Sequence, residues 1–343
     1  MAVATERTLS MVDAVGEAMR QAMEANPTVI VMGEDVVGGA GRGGAKENSM
    51  GGSFGATKSL YPLFGATRVR DTPISEAGFV GAAVGAAAAG LRPVVDAMWA
   101  DFTGLAFDQI YNQAGKMSYM FGGQVRLPLT IRIAMGCGLS AAAQHSGTLY
   151  SIYTHLPGIK VVVPSTPYDA KGLLLESIFD DSPVLFFEHL KLYVTQGLVP
   201  EAAYRIPLGV AEVRRTGSDV TVVAISAMVA RALEAAELLA AEGTSVEVID
   251  PRTLSPLDEE TIIGSVEKTG ALVVVDESPP HCSVASEIAA VVSEKAFDSL
   301  NGPVRRVTAP YTPVPFSPSL EDAYAPSVQA IVDAVNSINV TIS

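Results

Sequence analysis

With 343 residues, 48% of them hydrophobic, the chain has the length for two or three domains with substantial buried cores. A formal net charge of -14, spread without an acidic block, repels phosphate backbones and argues against a nucleic-acid partner. Two distant cysteines, Cys137 and Cys282, imply no disulfide framework and fit a reducing cytoplasm.

The start, Met1-Ala-Val-Ala-Thr-Glu-Arg, lacks the basic residues and apolar run of a signal peptide. Thr8 to Ala25 has helical periodicity, with Met11, Val15, Ala18, Met19 and Met23 on one side and Ser10 placed to cap it. Asn26-Pro27 stops that helix, and Thr28 to Met32 reads as a short apolar strand. Gly33-Glu34-Asp35 follows at the strand's carboxyl end, where open α/β sheets gather ligands. Residues 38 to 55 form a Gly-rich polar loop of a length that is usually functional or mobile. An Ala/Gly-rich helix spans about Glu76 to Ala89, and Leu91 to Met98 is a buried strand. The apolar stretch from Gly78 to Val95 is broken by glycines and by Arg92-Pro93, so it reads as helix plus strand rather than a membrane span.

Helix is expected again over Thr103 to Met120 and Tyr168 to Phe179, with strands at Pro128 to Ala134, Val161 to Pro164 and Val184 to Glu188. This alternation predicts a parallel, doubly wound sheet. Leu190 to Pro207 breaks the pattern. Beyond it come strands at Val220 to Ile225, Ser245 to Ile249 and Ala271 to Val275, and helices at Ala227 to Ala241 and Ser283 to Lys295. An extended Pro-rich stretch from Ala309 precedes a closing helix from Ser327. The expected architecture is α/β, two doubly wound domains over 1–190 and 207–343, joined by a linker at 191–206.

Glu76 is the first candidate for chemistry, set between Ile74 and a run of Ala, Gly, Phe79 and Val80. Burial favours the neutral form of such a carboxyl, while a helix N-terminus favours the anion; simple capping duty is the plainer alternative. Gly78, Gly81 and Gly85 match a dinucleotide fingerprint superficially, but they lie inside a helix rather than in a strand-to-helix turn, which argues against NAD binding. His145 sits in a Gly/Ala/Ser-rich loop after a buried strand and has the chemistry of a proton shuttle or a loop hydrogen-bonder. His155 reads as structural, His189 could line a cleft, and His281 has no supporting neighbours. No zinc-ligand spacing, Gly-x-Ser-x-Gly elbow or P-loop occurs, nor the Gly-Asp-Gly stretch with a downstream Asn that holds magnesium diphosphate.

Taken in order, Met32-Gly-Glu-Asp-Val, Asp71-Thr-Pro-Ile-Ser-Glu, Gly81-Ala-Ala-Val-Gly-Ala-Ala, Gly90-Leu-Arg-Pro, Phe107-Asp-Gln-Ile, Ala143-Gln-His-Ser, Pro157-Gly-Ile-Lys-Val-Val-Val-Pro, Asp169-Ala-Lys-Gly-Leu-Leu and Val184-Leu-Phe-Phe-Glu resemble the β subunits of the E1 component of 2-oxo acid and acetoin dehydrogenase complexes. The resemblance covers essentially the whole chain. Gly38-Gly-Ala-Gly, Cys282-Ser-Val-Ala and the stretch from Val307 to Pro318 are most similar to the acetoin branch, whereas Gly136-Cys-Gly-Leu-Ser and Ser146-Gly-Thr depart from the usual residues beside His145.

That resemblance implies a transketolase-like pyrimidine-binding domain followed by a transketolase C-terminal-type domain, in an α2β2 heterotetramer with thiamine diphosphate at each α/β interface. Glu76 would be the acid facing the N1′ nitrogen of the aminopyrimidine, Phe102 the ring stacked on it, and His145 the group handling protons and steering the acyl unit to lipoamide. Glu34 and Asp108 would be acids linking two distant sites, with Glu34 also beside the cofactor. Magnesium would be held through the α subunit, and potassium near Ser177-Ile-Phe-Asp180 through backbone carbonyls. The C-terminal domain would pair β with β and contact a dihydrolipoyl acyltransferase E2 core. Substrate alternatives are pyruvate and branched-chain 2-oxo acids; a noncatalytic assembly subunit is the alternative of another class.

Overall fold

The computed structural model describes residues 6–38 and 51–339, so most of the Gly-rich loop expected at 38–55 lies outside the described residues. The chain divides into two compact units. The first takes Met1–Met135 with Ile152–Leu208, and the second takes Gly136–Ser151 with Gly209–Ser343.

In the first unit, strands β1 (Glu6–Ser10), β2 (Val29–Gly33), β3 (Val69–Asp71), β4 (Arg92–Trp99), β5 (Thr130–Met135), β6 (Lys160–Val162), β7 (Val184–His189) and β8 (Gln196–Pro200) alternate with helices. Six of them form a parallel sheet in the order β6-β7-β5-β4-β2-β3. Every residue of β2, β5 and β7 is buried, which is why these strands read as continuous apolar runs. Ser10 caps helix Met11–Ala25, its hydroxyl accepting the Asp13 N–H at 3.2 Å, and the helix buries Met11, Ala14, Val15, Ala18, Met19, Ala22 and Met23. The helix expected over Thr103 to Met120 is broken instead into a 3-10 turn (Ala100–Gly104), a π-helical turn (Gln109–Ala114) and a short α-helix (Gly115–Met120).

The stretch expected as linker, 191–206, is part of the first unit. Its strand β8 pairs antiparallel with β1. The buried Lys171 ammonium donates to Glu17 at 2.7 Å and to the carbonyls of Pro200 at 2.5 Å, Glu201 at 3.2 Å and Ala202 at 3.1 Å. A buried ammonium needs several acceptors, and the segment's own backbone supplies them.

The second unit holds β9 (Glu212–Arg215), β10 (Val220–Ala224), β11 (Val246–Asp250), the short β12 (Thr253–Ser255), β13 (Leu272–Asp276) and β14 (Arg305–Thr308). Its sheet runs β14-β13-β10-β11-β9, parallel except for β9. Alternate residues Val220, Val222 and Ala224 pack with Val246, Val248, Val273 and Val275 under helices Met228–Ala241 and Val328–Asn339. On the other face, Thr221 bonds the Ser265 and Thr269 hydroxyls at 2.6 and 2.7 Å. Those two serve helix Glu259–Thr269, which the sequence reading passes over although Asp258 caps it and Gly270, at φ 71°, ends it.

The expected boundary differs in a second place, because residues 136–151 pack with the second unit and interrupt the first. Their backbone amides bond buried carboxylates there: Cys137 N–H to Glu277 at 2.8 Å, and Gly138 and Ser140 N–H to Glu321, both at 2.9 Å.

One charged cluster ties the first sheet together. The Arg132 guanidinium on β5 makes a bidentate pair with Glu188 on β7, at 2.7 and 2.8 Å, and a third bond to Asp96 on β4 at 3.0 Å. Tyr193 donates to Glu188 at 2.7 Å. Burial opposes the arginine's charge, but the Glu188 and Asp96 carboxylates outweigh it and hold its pKa above the ordinary value. Removing one partner from such a buried set leaves an uncompensated charge. Arg132→Met is therefore expected to lower stability by roughly 3–5 kcal/mol, read from urea unfolding; a loss below about 1 kcal/mol would show the cluster to be dispensable.

Candidate functional site

Gly33 closes β2 against β4 so tightly that a Cβ there would lie 2.4 Å from the Asp96 carbonyl oxygen. Only glycine fits this approach. It brings the residue after the strand, Glu34, into the neighbourhood of Asp96 and Glu76. Glu34 is 7% exposed, and its Oε1 has no hydrogen-bond partner. Burial raises the Glu34 pKa first, and the carboxylates of Glu76, Asp35 and Asp96 raise it further.

Glu76 opens helix Glu76–Ala88 and is 6% exposed, while Ser75 gives no side-chain cap. It is the helix's one polar side chain. The outward residues Ala77, Gly78, Ala82 and Gly85 are exposed, and Ile74 just before the helix is 83% exposed. Gly81 faces Gln109 of the π-helical turn, where a Cβ would meet Gln109 Oε1 at 2.9 Å. Asp71, on the neighbouring strand, is also raised by burial, which the Val37 N–H partly offsets by donating at 2.7 Å. The first unit thus gathers Glu34, Asp35, Asp96 and Glu76 at the carboxyl ends of its parallel strands, the place where this sheet class binds ligands.

Phe102 is half-buried in the turn after β4, whose neighbour Thr103 donates to Ala100 O and accepts the Tyr153 hydroxyl, each at 2.5 Å. Asp108 is exposed, its carboxylate taken by Asn112 at 2.6 Å and Gln109 at 3.3 Å. His145 belongs to the second unit, half-buried, with its backbone N–H on Ala142 O at 3.2 Å. His189 is buried and accepts the Lys191 N–H, and the exposed His281 meets Tyr311 edge-on.

At the turn implied for potassium, the Ser177 carbonyl accepts from the Thr130 hydroxyl at 3.0 Å, and the Ile178 and Asp180 carbonyls accept from the Arg92 guanidinium at 3.2 and 2.9 Å. Each of these carbonyls thus already serves a donor of the chain, and the Arg92 charge is itself paired with Asp181 at 2.6 Å. The aminopyrimidine fits better: a buried carboxylate oxygen without a donor, beside a buried acid, can receive N–H groups from outside. Among the described residues, no three His, Cys, Asp or Glu are grouped to hold a metal ion. Sequence reading misses Asp96, Arg132 and Tyr193; the visible signal is a charge inside an apolar strand, in Val95-Asp96-Ala97 and Ile131-Arg132-Ile133.

Residues 7–195 match the pyrimidine binding domain of transketolase, and residues 209–331 match the transketolase C-terminal domain. The chain is 53% identical to the β subunit of acetoin:2,6-dichlorophenolindophenol oxidoreductase from Bacillus subtilis, covering 95% of this chain and 96% of that one. It is also 53% identical to the same subunit from Cupriavidus necator, covering 96% of each. The pyruvate dehydrogenase E1 β subunit of Leifsonia xyli is 42% identical over 96% of this chain and 94% of its own. Among solved structures, a split-gene transketolase described as an inactive β4 tetramer superposes with a TM-score of 0.77 at 25% identity, covering 97% and 99% of the two chains.

Because its folded pKa lies above its unfolded one, Glu34 costs nothing below the unfolded value of about 4.3, and its ionisation costs stability as pH rises through the folded value. Glu34→Gln is expected to raise the melting temperature near pH 7, by about 1–2 °C for each kcal/mol relieved in a chain of this size. The two proteins should converge below about pH 4. Equal melting temperatures across that range would show that ionising Glu34 carries no cost.

Proposed function

The chain belongs to the transketolase-like family of thiamine-diphosphate-dependent E1 β subunits, and from that premise we propose that it is the β half of an acetoin-cleaving dehydrogenase. The observation that carries the chemistry is the buried Glu34–Glu76 pair, with an unpartnered oxygen on Glu34. The higher identity to the acetoin enzymes than to the pyruvate enzyme favours acetoin.

When bound, thiamine diphosphate supplies the nucleophilic carbon and the electron sink for breaking the bond beside a substrate carbonyl. Glu76, rooted at a helix start among apolar residues, holds a proton shared with the pyrimidine N1′ nitrogen. Glu34 beside it, its own pKa raised by burial and by the Glu76 charge, disfavours a second negative charge there. Phe102 offers an aromatic face, and the apolar residues around Glu76 exclude water. His145 takes and returns protons as the acyl unit passes to lipoamide. Asp108, exposed and bonded to Asn112, is proposed only as a link to the second site of the assembly.

The diphosphate and its magnesium would be held by an α subunit. Support for that partner comes from the exposed face around Ile74, Ala77, Gly78, Ala82 and Gly85, which carries no charge. The E2 core is the proposed acyl acceptor, and the cytoplasm the proposed compartment; among the described residues no helix is long and apolar enough to cross a membrane.

The test is reconstitution. The chain mixed with its α subunit, thiamine diphosphate and magnesium is expected to reduce dichlorophenolindophenol with acetoin faster than with pyruvate or branched 2-oxo acids. The chain alone should show no turnover. Glu76→Gln is expected to cost about 10²–10⁴-fold in kcat. Preference for pyruvate would move the substrate assignment to the second reading, and full activity in Glu76→Gln would leave only an assembly role.

A further inference from the structure

Residues 136–142 follow a path that side chains disfavour. Gly136, Gly138, Ser140 and Ala142 all have left-handed backbones, with φ of 90, 117, 52 and 63°. Alternating such residues with ordinary ones turns successive N–H groups toward one side and forms a concave anion-binding nest. The anion that fills it is internal. Glu321, 2% exposed on helix Pro318–Tyr324, accepts the Gly138 N–H through Oε1 and the Ser140 N–H through Oε2, both at 2.9 Å, with the Ser140 hydroxyl at 3.4 Å. Glu277, 3% exposed, takes the Cys137 N–H at 2.8 Å.

The segment is pinned again further on. Thr148 donates to Glu277 O at 3.4 Å, Ser278 donates to Thr148 O at 3.3 Å, and the Tyr150 hydroxyl donates to the Asp276 carboxylate. His145 lies between the two sets of pins. All these partners belong to the second unit.

We propose that Glu321 is a positioning residue for acyl transfer: its carboxylate, seated in the nest, fixes the path of the segment and hence the presentation of the His145 imidazole. The inference rests on the reading of His145 given above. A carboxylate is required because both oxygens accept; a Gln amide would turn an N–H toward one of the backbone donors.

The experiment uses the reconstituted complex with its E2 core and two assays: dye-linked acetoin turnover, and acyl transfer to lipoamide. Glu321→Gln is expected to lower kcat for acyl transfer about 10–100-fold, as small misplacements of a reacting group do, with KM for lipoamide and the dye-linked rate little changed. Acetate, but not acetamide, should restore transfer in Glu321→Ala. Should that variant fail to assemble, Glu321→Asp carries the test, with assembly and dye-linked turnover kept and transfer reduced about tenfold. Wild-type transfer in the Glu321 variants, with transfer lost in His145→Ala, would overturn the positioning role and leave the His145 reading standing. Unchanged transfer in His145→Ala would overturn that reading and the positioning role with it. Equal loss in both assays would reduce Glu321 to a purely structural residue and refute the proposal.

Discussion

The three-strand clamp of Arg132 on Glu188 and Asp96 is the interaction on which the first unit is organised. It joins three adjacent parallel strands by side chains where the backbone ladder already joins them. Asp96 serves it twice, as a partner of Arg132 and as one of the charges pressing on Glu34. The same residue therefore couples the stability of the sheet to the proton affinity of the acidic pair. Carboxylates gathered this closely are unfavourable unless something holds them, and here the sheet does the holding.

Strand and helix order was legible because buried parallel strands are continuous apolar runs and capped helices announce their ends. Ser10 and Asn26-Pro27 both mark real boundaries. The π-helical turn at Gln109–Ala114 was not legible, since its sequence keeps ordinary helical periodicity and the deviation serves tertiary packing. The segment 191–206 is held by the β8–β1 pairing and by Lys171, which looks like any helical lysine until its acceptors are known. Charged residues inside strands were the overlooked signal, because Asp96 and Arg132 make sense only as each other's partners.

The candidate site shows a similar division. Glu76 and Glu34 stand in legible short motifs, yet neither motif predicts that the two carboxyls feel each other or that an oxygen of Glu34 lacks a donor. His145 stands out in its Gly/Ala/Ser-rich loop, but the carboxylates that fix its segment come from residues 277 and 321, far along the chain. Local sequence can name a reactive group. What holds that group still is recorded elsewhere, in residues whose own surroundings look unremarkable as text.

The contact at Gly33 bears on how such a protein can drift. Most core positions touch neighbours through side chains, so a loss at one can be absorbed by growth at another. At Gly33 the opposing atom is the backbone oxygen of Asp96, and no exchange of side chains can move it aside. The spacing of β2 and β4, and with it the separation of the acids they carry, is thus insulated from turnover in the surrounding core: valines and isoleucines can replace one another around a site whose dimensions are set by main chain alone.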